Sequence, residues 1–332
     1  MKNELDGKII PTHDIKLFSG RSNPKLAEEI AQHLGTTVGP MVIKDFSDGE
    51  IYVQVQESVR GDDVFIVQPT CKPVNQNLTE LLIIIDAFKR ASAKSITAVI
   101  PYYGYARQDR KTSGREAITA KLVADLLTTA GCSRVLAVDL HSGQIQGFFN
   151  ILVDHIFATS ILVNHIKELG LKSEDLVIVS PDTGGVKRAR NFAKDLKCPY
   201  AIIDKRRDKH NEAIANCVIG NVKGKTCVMC DDIIDTAGSI TEAAKLLKKE
   251  GAEDIYVCAV HPIFSGPAIQ RLNDAPIKEV VITNTIPLDT SKLPPKIKQL
   301  SVANLLAQAI SRIHDDESIS SLFGFEKEMK VD

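Results

Sequence analysis

The chain has 332 residues, with 41 Lys and Arg against 42 Asp and Glu, and charged residues make up an ordinary 25%. That length suits two domains, each with its own core. The net charge of -1 excludes binding nucleic acid or lipid through bulk positive charge. An anionic ligand must then be held by locally placed cations and backbone amides.

The opening MKNELDGKIIPTHD is charged and lacks an apolar core, so no secretory leader is expected. Pro24 sits at the first turn of a helical pattern that runs to Leu34 and stops at Gly35. Residues 46–50, Phe-Ser-Asp-Gly-Glu, read as a turn between two strands. Continuous β-branched runs at 64–67, 96–100, 135–138, 176–179 and 255–260 fit strands buried on both faces of a parallel sheet. The aliphatic block at 81–85 stops at Asp86, far short of a membrane span. Between the strands, 117–130 and 160–169 have helical spacing and end at Gly131 and Gly170, and a last helix is expected over about 302–314. The fold class is α/β with crossover connections.

An internal repeat supports two related domains. The first copy runs from the strand at 64–67 through a loop, Leu78-Thr79-Glu80 and a helix to a strand ending at Pro101. The second runs from Cys227-Val-Met-Cys230 through an acidic loop, Ile240-Thr241-Glu242 and a helix to a strand ending at Pro262. We place the domains at 1–157 and 158–332. The seven cysteines form no dense framework, and the C-x-x-C pair Cys227 and Cys230 has no second pair. Two buried thiols on a strand, and a reducing cytoplasmic location, are expected.

The stretch most informative about chemistry runs from Lys225 to Thr241. An apolar strand meets Asp231 and Asp232, and then Asp235-Thr236-Ala237-Gly238-Ser239 opens a helix. The small residues can present successive N–H groups to a phosphate where the helix dipole favours an anion. The two carboxylates can accept from a sugar diol or approach a metal held by the substrate. Elsewhere, Arg107-Gln108-Asp109-Arg110-Lys111 places three cations in five residues after a strand, which suits a polyphosphate. Lys205-Arg206-Arg207 follows the apolar run 200–203, and His141 and Asp182 follow strands, where open α/β sheets bind ligands. No residue carries a clear signal for a general base.

The 225–241 stretch resembles the phosphoribosyl-pyrophosphate motif of the type I phosphoribosyltransferase fold. Phe46 to Glu50, Tyr105 to Lys111, Asp139 to Phe149, Ser180 to Gly185 and Asp204 to Arg207 narrow the resemblance to the ribose-phosphate diphosphokinases of class I, over about residues 16–323. It implies two tandem phosphoribosyltransferase-like domains, each a mainly parallel sheet flanked by helices. The implied reaction moves the β,γ-diphosphoryl group of MgATP to the 1-hydroxyl of ribose 5-phosphate, giving phosphoribosyl pyrophosphate and AMP for nucleotide biosynthesis. Lys205 and Arg207 become catalytic cations on a mobile loop. ATP falls to Arg107 and Gln108 together with Phe46, Asp48, Gly49 and Glu50, the last four reaching in from a neighbouring subunit. Ribose 5-phosphate falls to Arg207, Asp231, Asp232, Asp235, Thr236, Ala237, Gly238 and Ser239, with the phosphate at 235–239. Mg²⁺ is the implied cofactor, with His141 and Asp182 as its ligands. Ser58, Arg60 and Arg115 match a regulatory site activated by inorganic phosphate and inhibited by ADP. A homo-oligomer, a hexamer in this resemblance, is implied, with no nucleic-acid or membrane partner.

Three other readings fit the sequence less well. A base phosphoribosyltransferase needs neither the 46–50 turn nor Arg107-Gln108, nor a chain this long. A silent regulatory subunit should lack cations or carry insertions near the catalytic loop, yet Lys205, Arg207, His141 and the acidic pair are all present. A nucleotide-sensing transcription factor should carry an appended helix-turn-helix or basic segment, and none is recognisable.

Overall fold

The computed structural model describes residues 4–5, 8–9, 15–206 and 215–323. Of the sequence-derived site, Arg207 therefore lies outside the described residues, and Lys205 is described through its backbone alone. The chain divides into two compact units, one holding the residues up to Ile156 and those from Ala303 on, the other Phe157–Val302.

A short antiparallel pair, β1 (Glu4–Leu5) and β2 (Lys8–Ile9), precedes the first unit's main elements. These are β3 (Ile15–Ser19), α1 (Pro24–Leu34), β4 (Met41–Asp45), β5 (Ile51–Val55), β6 (Asp63–Val67), α2 (Val74–Arg90), β7 (Ser95–Ile100), α3 (Thr119–Ala130), β8 (Arg134–Val138) and β9 (Leu152–Ile156). The sheet runs β3-β6-β7-β8-β9 and is parallel throughout, while β4 and β5 form a separate antiparallel hairpin. Every residue of β6 is buried, as a strand covered on both faces requires. The core gathers around Phe18 and Phe88, whose rings lie 4.5 Å apart.

The second unit contains α4 (Thr159–Glu168), β10 (Leu176–Ser180), α5 (Val186–Leu196), β11 (Tyr200–Arg206), β12 (Ala215–Ile219), β13 (Thr226–Ile234), α6 (Gly238–Lys249), β14 (Asp254–Pro262), α7 (Ala268–Asp274), β15 (Glu279–Thr283) and β16 (Ile297–Leu300). Its sheet order is β12-β11-β10-β13-β14-β15-β16, parallel except where β11 pairs with β12. The repeat seen in the sequence is the pair of parallel units β6-α2-β7 and β13-α6-β14. It extends further: both units run strand, helix, hairpin, strand, helix, strand, helix and two more strands.

Capping sets both ends of α1. Asn23 Oδ1 accepts from Leu26 N at 3.4 Å, and Gly35 closes α1 at φ 68°. Helix α3 starts at Thr119, two residues later than its apolar spacing suggests, because the Gln108 carbonyl accepts from Ala120 N at 3.2 Å and fixes the entry. Cys227 and Cys230 are buried thiols on β13, and burial pushes each up to about 12.

The last helix, α8 (Ala303–His314), corrects the division at 158–332: it packs against α1 and belongs with the first unit. Its buried stripe of Ala303, Leu306, Ala307 and Ile310 faces a helix whose own buried side is Leu26, Ala27, Ile30 and Ala31. Such a long-range return is invisible to local periodicity. His314 fastens the far end, its Nδ1 lying 3.1 Å from Asp63 Oδ2 at the start of β6. Because Ile310 is fully buried, Ile310→Ala is expected to lower stability by about 2–5 kcal/mol, read from urea melts. A wild-type midpoint would show that the helix does not support the fold.

Candidate active site

In the second unit the chain leaves β10 toward β11 on one side and leaves β13 toward β14 on the other. Adjacent parallel strands whose connections diverge open a crevice at their carboxyl ends, the place where open α/β sheets bind ligands. Here the crevice is deepened by register. Val179 is paired with Met229, so β13 continues for several residues beyond the end of β10.

That overhang carries Asp231 and Asp232. The sequence places them at the start of a loop, but they lie inside β13, with Asp231 opposite Ala259 on β14. The ladder to β14 continues to Pro262 and keeps the strand extended past its neighbour on the other side. Arg188, near the start of α5, reaches both carboxylates: its Nη1 lies 3.3 Å from Oδ1 of each. Asp232 N also donates to Asp231 Oδ1 at 2.9 Å. Burial, reinforced by the neighbouring Asp232 carboxylate, pushes Asp231 up to about 7, while Arg188 opposes the shift. The pair therefore holds both an acceptor and a titratable proton near neutral pH, which suits recognition of a diol.

Beyond β13, Asp235 to Ser239 turn into α6. Ala237 adopts φ 61°, a left-handed conformation uncommon for a residue with a side chain, and Gly238 is the first helical residue. This bend directs successive backbone N–H groups toward one side, an anion-binding nest at a helix N-terminus. Three hydrogen bonds hold it in place. Ser265 N donates to Asp235 O at 3.0 Å and Phe264 N to Ile234 O at 3.1 Å. Arg271 on α7 donates from Nη1 to Thr236 O at 3.1 Å, turning that carbonyl away from the nest. On the neighbouring strand end, Asp182 is exposed, and its Oδ1 accepts from Gly185 N at 2.9 Å. Thus the second unit brings Asp182, Asp231, Asp232 and residues 235–239 to two adjacent strand ends. Sequence reading missed Arg188 and Arg271, since each acts through the fold on residues 35 or more positions away.

Lys205 and Arg206 continue β11 rather than starting a loop, and are paired with Asn216 and Ala215 on β12. The Lys-Arg cluster therefore begins on an antiparallel strand pair at the sheet edge. In the first unit, β4 and β5 carry Phe46, Asp48, Gly49 and Glu50 on an exposed tip. Gly49 N donates to Phe46 O at 2.9 Å, and Asp48 Oδ1 accepts from Glu50 N at 3.1 Å. Gly49 has φ 94°, which its lack of a side chain permits. Phe46 is 51% exposed and meets Tyr52 edge-on at 5.9 Å, leaving its ring available for stacking.

Arg107 and Gln108 are exposed on the segment after β7. Thr119 Oγ1 donates to Gln108 Oε1 at 2.5 Å. The same segment is shaped by Glu116, whose carboxylate accepts from the backbone and hydroxyls of Thr112 and Ser113 at 2.6–3.1 Å. The Ser113 hydroxyl, with the other donors, brings Glu116 down to about 2. Arg115 beside it is exposed with φ 66°, and Ser58 and Arg60 are exposed after β5. His141 is exposed just past β8, where Asp139 bends the chain at φ 41° and Leu140 N donates to His155 Nε2 at 2.9 Å. Among the described residues no group of three or more His, Cys, Asp or Glu could hold a metal ion.

A mainly parallel sheet with an acidic pair and a left-handed turn into a helix at its switch point fits an α/β protein of the phosphoribosyltransferase type. The model for the N-terminal domain of ribose phosphate pyrophosphokinase matches residues 15–131, and that for the phosphoribosyl synthetase-associated domain matches residues 209–324. A ribose-phosphate pyrophosphokinase of Gloeobacter violaceus is 58% identical over 95% of both chains. The chloroplastic ribose-phosphate pyrophosphokinase 2 of Arabidopsis thaliana is 58% identical over 93% of this chain and 78% of its own. The crystal structure of phosphoribosylpyrophosphate synthetase from Mycobacterium smegmatis superposes with a TM-score of 0.87 at 47% identity, over 91% of this chain and 99% of that one. The chain belongs to the ribose-phosphate pyrophosphokinase family.

The raised Asp231 has a consequence for stability. Unfolded, its carboxyl releases a proton near 3.8, whereas folded it retains the proton up to about 7. The stabilisation is complete below about pH 4 and is lost as pH rises through 7. Urea melts of the ligand-free protein should show this decline, and Asp231→Asn should flatten it. An unaltered slope in the variant would assign the titration elsewhere.

Proposed function

We propose that the protein is a ribose-phosphate diphosphokinase that transfers the β,γ-diphosphoryl group of ATP to the 1-hydroxyl of ribose 5-phosphate. The products are 5-phosphoribosyl 1-diphosphate and AMP, an activated sugar for nucleotide biosynthesis. The observation that carries the reading is the nest at 235–239 beside Asp231 and Asp232, at the switch point of a chain belonging to this family. The nest holds the 5-phosphate, and the acidic pair accepts from the 2- and 3-hydroxyls.

The 1-hydroxyl oxygen attacks the β-phosphorus, the bond to the α,β-bridging oxygen breaks, and the hydroxyl proton leaves to solvent. Lys205 and Arg207 meet the charge that grows on the transferred group, Arg207 also touching the sugar phosphate. Phe46 stacks on adenine, with Asp48, Gly49 and Glu50 at its edge, and Arg107 and Gln108 bind the ATP. Adenine contacts come from a neighbouring copy, so the working protein is a homo-oligomer, a hexamer in this reading. Inorganic phosphate activates and ADP inhibits at Ser58, Arg60 and Arg115, and the enzyme works in the cytoplasm.

Mg²⁺ is the proposed cofactor, bound by His141 and Asp182. Each presents an exposed donor at a strand end, and Asp182 Oδ1 also accepts from Gly185 N. Single donors of this kind fit an ion that keeps waters and phosphate oxygens as its other ligands. When bound, the ion neutralises and polarises the polyphosphate.

Phosphorus NMR with MgATP, inorganic phosphate and ribose 5-phosphate should show AMP and a sugar diphosphate ester forming together, without ADP. Ribose lacking the 5-phosphate should turn over very poorly, and equal rates for the two sugars would contradict the nest assignment. ADP as product would mean a monophosphoryl transfer. Arg207→Ala should lower kcat by on the order of 10²-fold or more, and undiminished turnover would remove its role.

A further inference from the structure

The two hairpins occupy matching places in the two units but are held differently. In the second unit β11 is laddered to β10 and so belongs to the main sheet. In the first, β4 and β5 form a sheet of their own. A lone two-stranded hairpin is marginal in water, so side chains must fix it.

Its root is well tied. Val38 bridges to Leu17, Gly39 N donates to Leu17 O at 2.7 Å, and Lys16 pairs with Glu57 at 3.0 Å. Met41, Ile43, Val53 and Val55 pack on the core. By strand alternation, 41, 43 and 45 share one face, so Asp45 stands where this apolar stripe ends. It is also the residue next to Phe46.

Arg21 takes over at that point. Its Nη1 and Nη2 fork onto Asp45 at 3.0 and 2.8 Å, and its Nε lies 2.6 Å from Glu80 Oε2. The Arg21 backbone N donates to Glu80 Oε1 at 2.7 Å. Glu80 is 1% exposed and also accepts from Gln68 Nε2 at 3.0 Å. Gln68 in turn donates to Asn77 O and accepts from the Ser22 hydroxyl at 2.6 Å. A hydrogen-bonded line thus runs from the buried side of α2 to the tip of the hairpin. Its charged ends respond as partners: the Asp45 hydrogen bond raises the Arg21 pKa, and the Arg21 hydrogen bond lowers that of Asp45.

We infer that Arg21 is a positioning residue for the nucleotide, locking the tip that carries Phe46, Asp48 and Glu50 through Asp45 on one side and Glu80 on the other. The inference rests on the reading of that tip as the adenine contact. Arg21 touches no substrate itself. A fork is required, because one flexible ammonium cannot grip Asp45 bidentately while reaching Glu80.

The test compares the wild type with Arg21→Ala, Arg21→Lys and Asp45→Asn, by steady-state kinetics in both substrates and by direct titration with ATP. Arg21→Ala should raise KM for ATP about tenfold, and Asp45→Asn by several-fold. KM for ribose 5-phosphate and kcat at saturation should stay near wild type. Arg21→Lys should restore part of the loss. Should Arg21→Ala fail to fold because buried Glu80 loses its cation, Asp45→Asn decides, since it keeps the Arg21–Glu80 contact. An unchanged ATP affinity in Asp45→Asn, or equal rises in both KM values, overturns the proposal. A wild type that binds ATP but forms no AMP sinks the diphosphokinase reading, while the titration of Asp45→Asn still decides on Arg21.

Discussion

Burying parallel strands on both faces is the constraint on which the remaining architecture depends. A strand such as β6 or β10, with every residue buried, offers no side chain to solvent along its length. Chemistry is pushed to the strand ends, where side chains and helix N-termini meet water. Segments 180–185, 235–239, 101–118 and 139–149 all follow strands in this way. In the second unit, divergence at β10 and β13 adds a crevice, and the overhang of β13 puts two carboxylates on its rim. The crevice needs no bulk charge, consistent with a chain whose formal charge is -1.

The same succession of elements supports unlike chemistry in the two units. The position after β13 holds the left-handed bend that opens α6, whereas that after β6 holds Pro69 to Pro73, with Asn77 Nδ2 donating to Cys71 O at 2.8 Å. Glu242 on α6 is exposed and pairs with Lys245, while Glu80 on α2 is buried and anchors a guanidinium. One scaffold thus spends its interior polar groups on fixing a hairpin and the other keeps its strand ends open. This is how a repeated fold acquires distinct sites without altering its sheet order.

Strands and helices were legible wherever a single period dominated. The runs at 64–67, 96–100, 135–138 and 176–179 lie within β6, β7, β8 and β10, and α1 spans Pro24–Leu34 as its Pro and Gly punctuation indicates. The repeat was legible because both copies keep the same offsets. Three features were not. The return of α8 to α1 joins segments far apart in sequence, Ile30 and Ile310 being 280 positions apart, and periodicity carries no information about partners. The continuation of β13 through Asp231 and Asp232 defies local propensity, since adjacent carboxylates disfavour a strand; the ladder to β14 overrides it. Arg188 and Arg21 looked like ordinary charged residues because their meaning lies in what the fold places opposite them.

The Thr236–Ala237 bend shows why the loop that opens α6 needs support from outside itself. A left-handed residue with a Cβ costs of order 1 kcal/mol or more, and only surrounding structure maintains it. Gly238, which pays no such penalty, is instead placed one residue later, at the helix start. A Cβ there would meet Arg271 Nη1 at 3.5 Å and the Thr236 hydroxyl at 3.8 Å, both ordinary van der Waals contacts. The bend at Ala237 is then held by neighbours: Ser265 grips the carbonyl of Asp235, and Arg271 that of Thr236. With two successive carbonyls engaged from behind, the peptide planes are fixed and their N–H groups need not reorganise when an anion arrives. Preorganisation of this kind places the cost of shaping the site in folding rather than in binding. The segment after β14 therefore helps to shape the loop proposed to hold the phosphate, although no residue in it need touch the ligand.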